Sequence, residues 1–338
     1  MTTDYDIFEL GDVVLQSGQV LPSAKLAYAT YGKLNAYKDN AIVFPTHYGG
    51  THRSNAALIG SGGPLDSDQY FIIVPNLFGN GVSSSPSNTP APYDGPNFPR
   101  VTLYDNVGCQ HRLITEKFGI EQLALVLGWS MGAQQAYHWA TLYPEQVGRI
   151  LPYCGSAKTS VHNWVFLEGI KAALTADETW QAGHYKTPPV RGLKAFGRVY
   201  AGWAYSQAFY REGLYRELGF DSAAALLTWW EEDHVDWDAN DLLAMLWSWQ
   251  HADISDNPIY QGDFERALRS LTSKAIVMPS ETDLYFPPED NAIEVSLMPN
   301  AELRIIPSIW GHCAGGPGYN AEDTAFIKTA IQDLLSPA

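Results

Sequence analysis

Leu123-Ala124-Leu125-Val126-Leu127-Gly128-Trp129-Ser130-Met131-Gly132-Ala133-Gln134-Gln135-Ala136-Tyr137-His138-Trp139-Ala140 is the stretch that decides the fold. Its first five residues form an unbroken apolar run, the pattern of a central strand covered on both faces. From Ala133 strong helix formers take over, and Pro144 marks the end of that helix. Between them lies a Gly-x-Ser-x-Gly turn, Gly128 to Gly132. A serine on so sharp a strand-to-helix turn is held in a strained backbone conformation with its hydroxyl projecting. The two glycines remove Cβ atoms that would meet the crossing helix and the neighbouring strand. Ser130 is therefore the candidate nucleophile, and the N–H of Met131 a candidate oxyanion donor.

A nucleophilic serine needs a base, and the base needs an orienting carboxylate. On an elbow of this kind they follow in chain order, acid and then histidine. Residues 274–278 read as a buried strand followed by Ser280-Glu281-Thr282-Asp283. Asp283 falls where a carboxylate at a strand's carboxyl end belongs. Glu281 competes but lies closer to the strand, and Asp290 fits a helix cap. The last strand pattern, 301–306, runs into Pro307-Ser308-Ile309-Trp310-Gly311-His312, which makes His312 the candidate base. A second oxyanion donor is expected from the loop after strand 41–44, Pro45-Thr46-His47-Tyr48-Gly49-Gly50-Thr51. Its glycine pair lets the backbone curl around a small anion; Tyr48 N–H is the first choice and Gly49 N–H its rival.

With 338 residues the chain can form one large domain or a core carrying an inserted subdomain. A formal charge of -16 with only 21 Lys plus Arg argues against nucleic acid or an anionic membrane as partner. Met1-Thr2-Thr3-Asp4-Tyr5-Asp6 has neither the basic nor the apolar region of a secretory leader. No apolar run approaches the roughly 20 residues that span a bilayer. Cys109, Cys154 and Cys313 are odd in number and widely spaced, which suits reduced thiols and a cytoplasmic location. Cys313 adjoins the candidate base and reads as pocket lining. No metal is expected, because the histidines form no His-x-His or His-Glu-x-x-His pair. The acidic run from Glu231 to Asp238 lacks calcium-loop spacing and reads as a solvated helix end. No glycine-rich dinucleotide fingerprint is present, so no cofactor is expected.

Strand patterns recur at 25–31, 41–44, 70–74, 123–127, 150–153, 274–278 and 301–306. Helical patterns separate several of them, which implies an α/β fold with a mostly parallel sheet and right-handed crossovers. The gap from 153 to 274 is too long for one crossover and reads as helical, for example at 198–218 and 240–249, with Thr187-Pro188-Pro189 as an internal loop. It holds Trp164, Trp180, Trp203, Trp229, Trp230, Trp237, Trp247 and Trp249. Since it leaves the sheet at the carboxyl-end edge, where open α/β sheets bind ligands, 157–264 is expected to be a helical cap over the nucleophile. The core is then 1–156 plus 265–338. The cap aromatics would form partly its own core and partly the wall of an apolar, water-restricted pocket. Trp129, Tyr205, Trp310 and Cys313 are the substrate-binding candidates.

With elbow, acid, base and cap in order, the chain resembles the homoserine O-acetyltransferase family of α/β-hydrolases along nearly its whole length. Four segments carry the resemblance. Asp66 through Gly79 looks like that family's strand leading into an asparagine–glycine loop. Asn97-Phe98-Pro99-Arg100-Val101-Thr102-Leu103-Tyr104-Asp105 looks like its Phe-Pro-x-x-Thr-x-x-Asp segment. Gly128 through Gln135 is similar to its nucleophile motif, Gly-Gly-Ser-Met-Gly-Gly-Met-Gln. Trp237-Asp238-Ala239-Asn240-Asp241-Leu242 resembles its Phe-Asp-Ala-Asn-x-Tyr cap segment. Carried over position by position, the triad is Ser130, Asp283 and His312. The resemblance also implies acyl-enzyme chemistry on short acyl groups and a homodimer formed through the cap helices.

Two positions depart from the family pattern. A buried zwitterion such as homoserine needs a partner for each charge, or desolvation costs several kcal/mol. The family's cap arginine for the carboxylate is absent from Gly202-Trp203-Ala204-Tyr205-Ser206-Gln207, leaving Arg198 and Arg211 as nearby substitutes. Its aspartate after the catalytic histidine, which holds the ammonium, is Cys313 here. The expectation is therefore a carboxylic-ester hydrolase, in its branch of homoserine-acetyltransferase-like esterases, acting on small-molecule acetyl-type esters of neutral alcohols. The alternative is an O-acyltransferase using acetyl-CoA as acyl donor; a binding protein on an inactive hydrolase fold is the third reading.

Overall fold

A computed structural model describes residues 4–336. Met1-Thr2-Thr3, which belong to the stretch read as lacking a leader, and positions 337–338 of the expected core lie outside the described residues. The strands are β1 (Asp6–Val14), β2 (Val20–Tyr31), β3 (Ala41–Val43), β4 (Phe71–Pro75), β5 (Leu125–Trp129), β6 (Arg149–Tyr153), β7 (Lys274–Val277) and β8 (Ala301–Leu303). They form one sheet in the order β1-β2-β4-β3-β5-β6-β7-β8. From β4 to β8 every neighbouring pair is parallel, whereas β2 runs antiparallel to both β1 and β4.

Because side chains alternate across a strand, the central strands feed two cores. Ile42, Leu125 and Leu127 face one, and Val43, Val126 and Ile150 the other. Helices α1 (Leu103–Arg112) and α2 (Met131–Leu142) cover the second face, with Val107, Tyr137, Trp139 and Ala140 buried there. Between β6 and β7 come α3 (Val161–Thr175), α4 (Val190–Ala204), α5 (Gln207–Glu212), α6 (Ala223–Val235) and α7 (Ala239–Gln250). Phe166, Phe196, Tyr200 and Trp249 of these helices join the first core, so the inserted helices share one apolar interior with the sheet. The chain then returns through α8 (Phe264–Arg269), whose Ala267 and Leu268 lie in the second core, to β7. Helices α9 (Pro288–Leu297) and α10 (Ala321–Leu335) complete the layers, with Ile327 and Ile331 of α10 closing the first face. Among the described residues, no helix is long and apolar enough to cross a membrane.

Several elements differ from the sequence expectation. Strand β2 starts at Val20 and β8 ends at Leu303, where 25–31 and 301–306 were expected. Three further differences bear on the fold. Strand β1 was not anticipated. Of its nine residues only Leu10 is buried, and the register slips around Gly11, so no two-residue apolar alternation marks it. Strand β5 starts at Leu125 and extends through Gly128-Trp129, carrying pairing right up to the elbow. The helical run expected over 198–218 is broken after Ala204. Ser206 caps α5 by accepting the Phe209 N–H, and Gly213, at φ 71°, ends that helix.

Candidate active site

Ser130 stands between β5 and α2 at φ 58°, ψ -125°, a conformation that non-glycine residues rarely occupy. The backbone around it over-determines this strain. Ser130 N–H donates to Tyr153 O at 3.1 Å, and Ser130 O accepts from Ala133 and Gln134 N–H at 2.9 and 3.2 Å. The elbow glycines are required by space. A Cβ on Gly128 would overlap the Gly132 backbone, and one on Gly132 would come 2.8 Å from Pro45 O.

Asp283 follows the end of β7. Its Oδ1 accepts from Tyr285 and Phe286 N–H at 3.1 and 3.0 Å, which leaves Oδ2 for His312 Nδ1 at 2.7 Å. Both side chains are buried. With its Nδ1 proton donated to the carboxylate, the neutral ring keeps Nε2 as its acceptor. The ring packs among Tyr285, Trp129 and Phe286 at centroid distances of 4.4, 5.1 and 5.6 Å. Trp129 Nε1–H also donates to His312 O at 3.2 Å. Thr282 fastens the histidine loop to the acid loop, its hydroxyl donating to Ser308 O at 2.8 Å and accepting from Gly311 N–H at 3.1 Å. Ser206, at the break between α4 and α5, donates to Ile309 O and so docks the inserted helices on the same loop. Glu281, the competing acid, is exposed.

In the loop after β3, Gly50 N–H is committed to His47 O at 3.1 Å. Among the described residues, the N–H groups of Tyr48 and Gly49 have no protein acceptor, so both expected donors are free for a ligand. Met131 opens α2, where an N–H has no acceptor within its own helix. The loop is held by its neighbours. Asn55 Nδ2 donates to Phe44 O at 3.0 Å, and Gln135 Nε2 donates to Thr46 O at 2.9 Å. Tyr48 reaches further, its ring stacked on Tyr200 at 6.1 Å and its hydroxyl donating to Leu242 O in α7 at 3.2 Å. His47 is kept neutral, its pKa lowered to about 3 by burial and by His312 nearby.

Ser130, His312 and the Tyr48 loop open into one cavity of about 550 Å³. Trp129, Tyr285 and Cys313 line it from the core side, and Tyr200, Trp229, Trp230, Asp233, His234 and Trp237 from the inserted helices. Among the described residues, no lysine or arginine lines it. Arg198 pairs with Glu231 on the surface and Arg211 is exposed, so neither supplies the missing family arginine. Burial pushes the Cys313 thiol well up, keeping it protonated at neutral pH. Of the four substrate-binding candidates, Trp129 and Cys313 line the cavity. Tyr205 and Trp310 do not: both turn onto Phe209, at 4.1 and 5.2 Å, and form part of the packing between helices and histidine loop. The acidic run 231–238 is exposed at Glu232, Asp233 and Asp236, as expected of a solvated helix end, and Asp233 and Trp237 also border the cavity. Tyr200, Tyr285, Asp233 and Thr282 were not singled out from the sequence.

Comparison with known proteins fits this geometry. Residues 43–168 match the model of the alpha/beta hydrolase fold family. The chain is 39% identical to ethyl acetate hydrolase from Pseudomonas veronii over 98% of its own length and 95% of that protein's. The solved structure of the acetyl esterase MekB superposes with a TM-score of 0.95 at 39% identity, covering 98% of this chain and 97% of that one. Homoserine O-acetyltransferase from Trichormus variabilis is 31% identical over 89% of this chain and 86% of its own. The chain belongs to the α/β-hydrolase family, in the group that holds these acetyl-ester hydrolases together with the homoserine O-acetyltransferases.

Proposed function

We propose that the protein is a serine carboxylic-ester hydrolase acting on short-chain, acetyl-type esters. The observation that carries this reading is the Asp283–His312 hydrogen bond of 2.7 Å at the wall of the cavity into which Ser130 opens. Ser130 Oγ attacks the ester carbonyl while His312 Nε2 takes its proton. The oxyanion is held by Met131 N–H and by Tyr48 N–H, with Gly49 as the alternative donor. The intermediate collapses, the C–O bond to the alcohol breaks, and His312 returns the proton to the departing alkoxide. Water then attacks the acyl-enzyme, giving its proton to His312, and release of the acid restores Ser130. Asp283 holds the imidazole tautomer and stabilises its charged form. Residues 157–264 serve as the cap that limits water around the acyl group.

An acyl-CoA-dependent transferase shares the first half of this cycle. An amino-acid acceptor, however, brings a carboxylate that the lysine- and arginine-free lining would leave unpaired. Exposed Val161, Trp164 and Val165 on α3 support a homodimer formed through the cap helices; sedimentation at micromolar concentration tests it. The free thiols of Cys109, Cys154 and Cys313 support a cytoplasmic location. For the catalytic reading, Ser130→Ala should abolish acetate release from ethyl acetate, and a fluorophosphonate should label the wild type but not the variant. Undiminished turnover by folded Ser130→Ala would overturn the mechanism.

A further inference from the structure

Asp233 is the odd residue in this cavity. Its side chain is about half exposed at the cavity edge and has no lysine or arginine partner among the described residues; the nearest candidate is His234, whose Nδ1 lies 3.5 Å away. That nitrogen is 2.9 Å from Trp230 O, and a carbonyl can only accept, so Nδ1 carries the ring's proton. Burial lowers the pKa of His234, which keeps the ring neutral. Partial burial, together with the nearby Asp236 carboxylate, pushes the Asp233 carboxyl up despite the opposing effect of His234. Around this carboxylate the cavity is walled by Trp229, Trp230, Trp237 and Tyr319. Trp229 and Trp230 meet edge-to-face, at 5.9 Å and 89°, and Trp230 lies parallel to Tyr200 at 5.5 Å. Aromatic faces carry negative electrostatic potential and attract a desolvated cation.

Three kinds of alcohol portion can be tested against this lining. An alkyl group would be served by the aromatics but would leave the half-exposed carboxylate with only water as its partner. A zwitterion would satisfy Asp233 and leave its own carboxylate without a cation. A compact cation satisfies both the carboxylate and the rings, and the formal charge of -16 draws cations toward the protein. We propose that the cap side of the cavity is a cation subsite, and that the preferred esters are short-chain esters of alcohols bearing a compact quaternary or protonated amine. This rests on the ester-hydrolase reading above.

The test is kcat/KM of the full-length enzyme for acetylcholine and for 3,3-dimethylbutyl acetate, which has carbon in place of the charged nitrogen. Each value is normalised to that ester's hydroxide-catalysed rate. The wild type should favour acetylcholine by about tenfold or more, the discrimination expected of a partly desolvated cation among aromatic rings. The ratio should shrink toward parity in Asp233→Asn and in Trp229→Leu, and tetramethylammonium should compete with the neutral ester. Parity in the wild type, or a preference for the neutral ester, would overturn the subsite and leave the hydrolase reading intact; this comparison decides even where a variant fails to fold. Absence of turnover with both esters and with ethyl acetate would overturn the hydrolase reading and the subsite with it.

Discussion

Replacing Asp283 by asparagine tests the site most sharply, because the backbone dictates how the amide must sit. Oδ1 of residue 283 accepts two N–H bonds, from Tyr285 at 3.1 Å and Phe286 at 3.0 Å, and only an oxygen can fill that position. The amide nitrogen is then forced toward His312 Nδ1, where the carboxylate oxygen stood at 2.7 Å. An NH₂ group donates, so the imidazole must present a bare Nδ1 and move its proton to Nε2. A ring protonated at Nε2 cannot take the proton of Ser130. Flipping the amide to rescue the tautomer forfeits two backbone hydrogen bonds, about 2 kcal/mol, or roughly 30-fold in the active population. Loss of the carboxylate charge beside the developing imidazolium adds to this, and the same substitution in a serine protease triad lowers kcat by about 10⁴. Acetate release from ethyl acetate, followed by pH-stat at neutral pH, should therefore fall by three to four orders of magnitude, about 4–5 kcal/mol in barrier. The melting temperature should move little, because the two backbone bonds survive. A kcat within about tenfold of wild type, in protein with an unchanged melt, would refute the assignment of Asp283 as the orienting acid.

Gly128→Ala should destabilise the fold by about 3 kcal/mol in urea unfolding, since its Cβ would overlap the Gly132 backbone rather than a movable side chain. Thr282→Val removes the hydroxyl that serves both Ser308 O and Gly311 N–H, which should cost about 2 kcal/mol of stability and lower kcat by loosening the His312 loop. Thr282→Ser should restore both readouts, and an unchanged kcat in Thr282→Val would mean the loop is positioned without this clasp. Glu294 makes stability depend on pH. Burial raises its carboxyl from 4.5 to about 7, against hydrogen bonds from Asn291, Ala157 N–H and Tyr137. The folded state then holds the proton more tightly than the unfolded chain. Its contribution is greatest below pH 4.5 and is lost as the pH rises to about 7, on the order of 3 kcal/mol. Glu294→Gln should flatten that decline in a series of melts, and an unaltered slope would exclude Glu294 as its source.

The elbow and its partners are legible because their constraints are local. A strained serine needs small neighbours within the same pentapeptide, and the acid and base follow strands whose apolar runs are short and unbroken. What escaped depends on direction. Strand β1 pairs through its backbone at the sheet edge with one buried side chain, so composition carries little trace of it. Tyr205 and Trp310 were placed in the pocket because aromatic residues beside a histidine loop suit a wall. Their rings instead meet on Phe209, a tertiary choice that sequence spacing does not record. Asp233 is the instructive case. Trp230, Asp233 and His234 stand at i, i+3 and i+4, the spacing that puts side chains on one face of α6, and Trp237 follows just past its end. Read as an acidic run, the segment looks solvated, and its Glu232, Asp233 and Asp236 are exposed; read by helical period, it also has a face, with buried His234, that borders the cavity.

The tether from Tyr48 to Leu242 bears on how the enzyme would work in time. The loop proposed to hold the oxyanion is joined at one residue to the roof of the cavity, by a hydroxyl on α7 and a ring stacked on α4. Were the roof to lift to admit an ester, this tether would pull on the same loop, and the entrance and the proposed oxyanion donors would move together. Open molecules would be receptive but idle, and closed ones competent but sealed. Turnover would then be paced by how often the roof resettles on its guest, and substitutions far out on α7 could slow the reaction without touching any reacting atom.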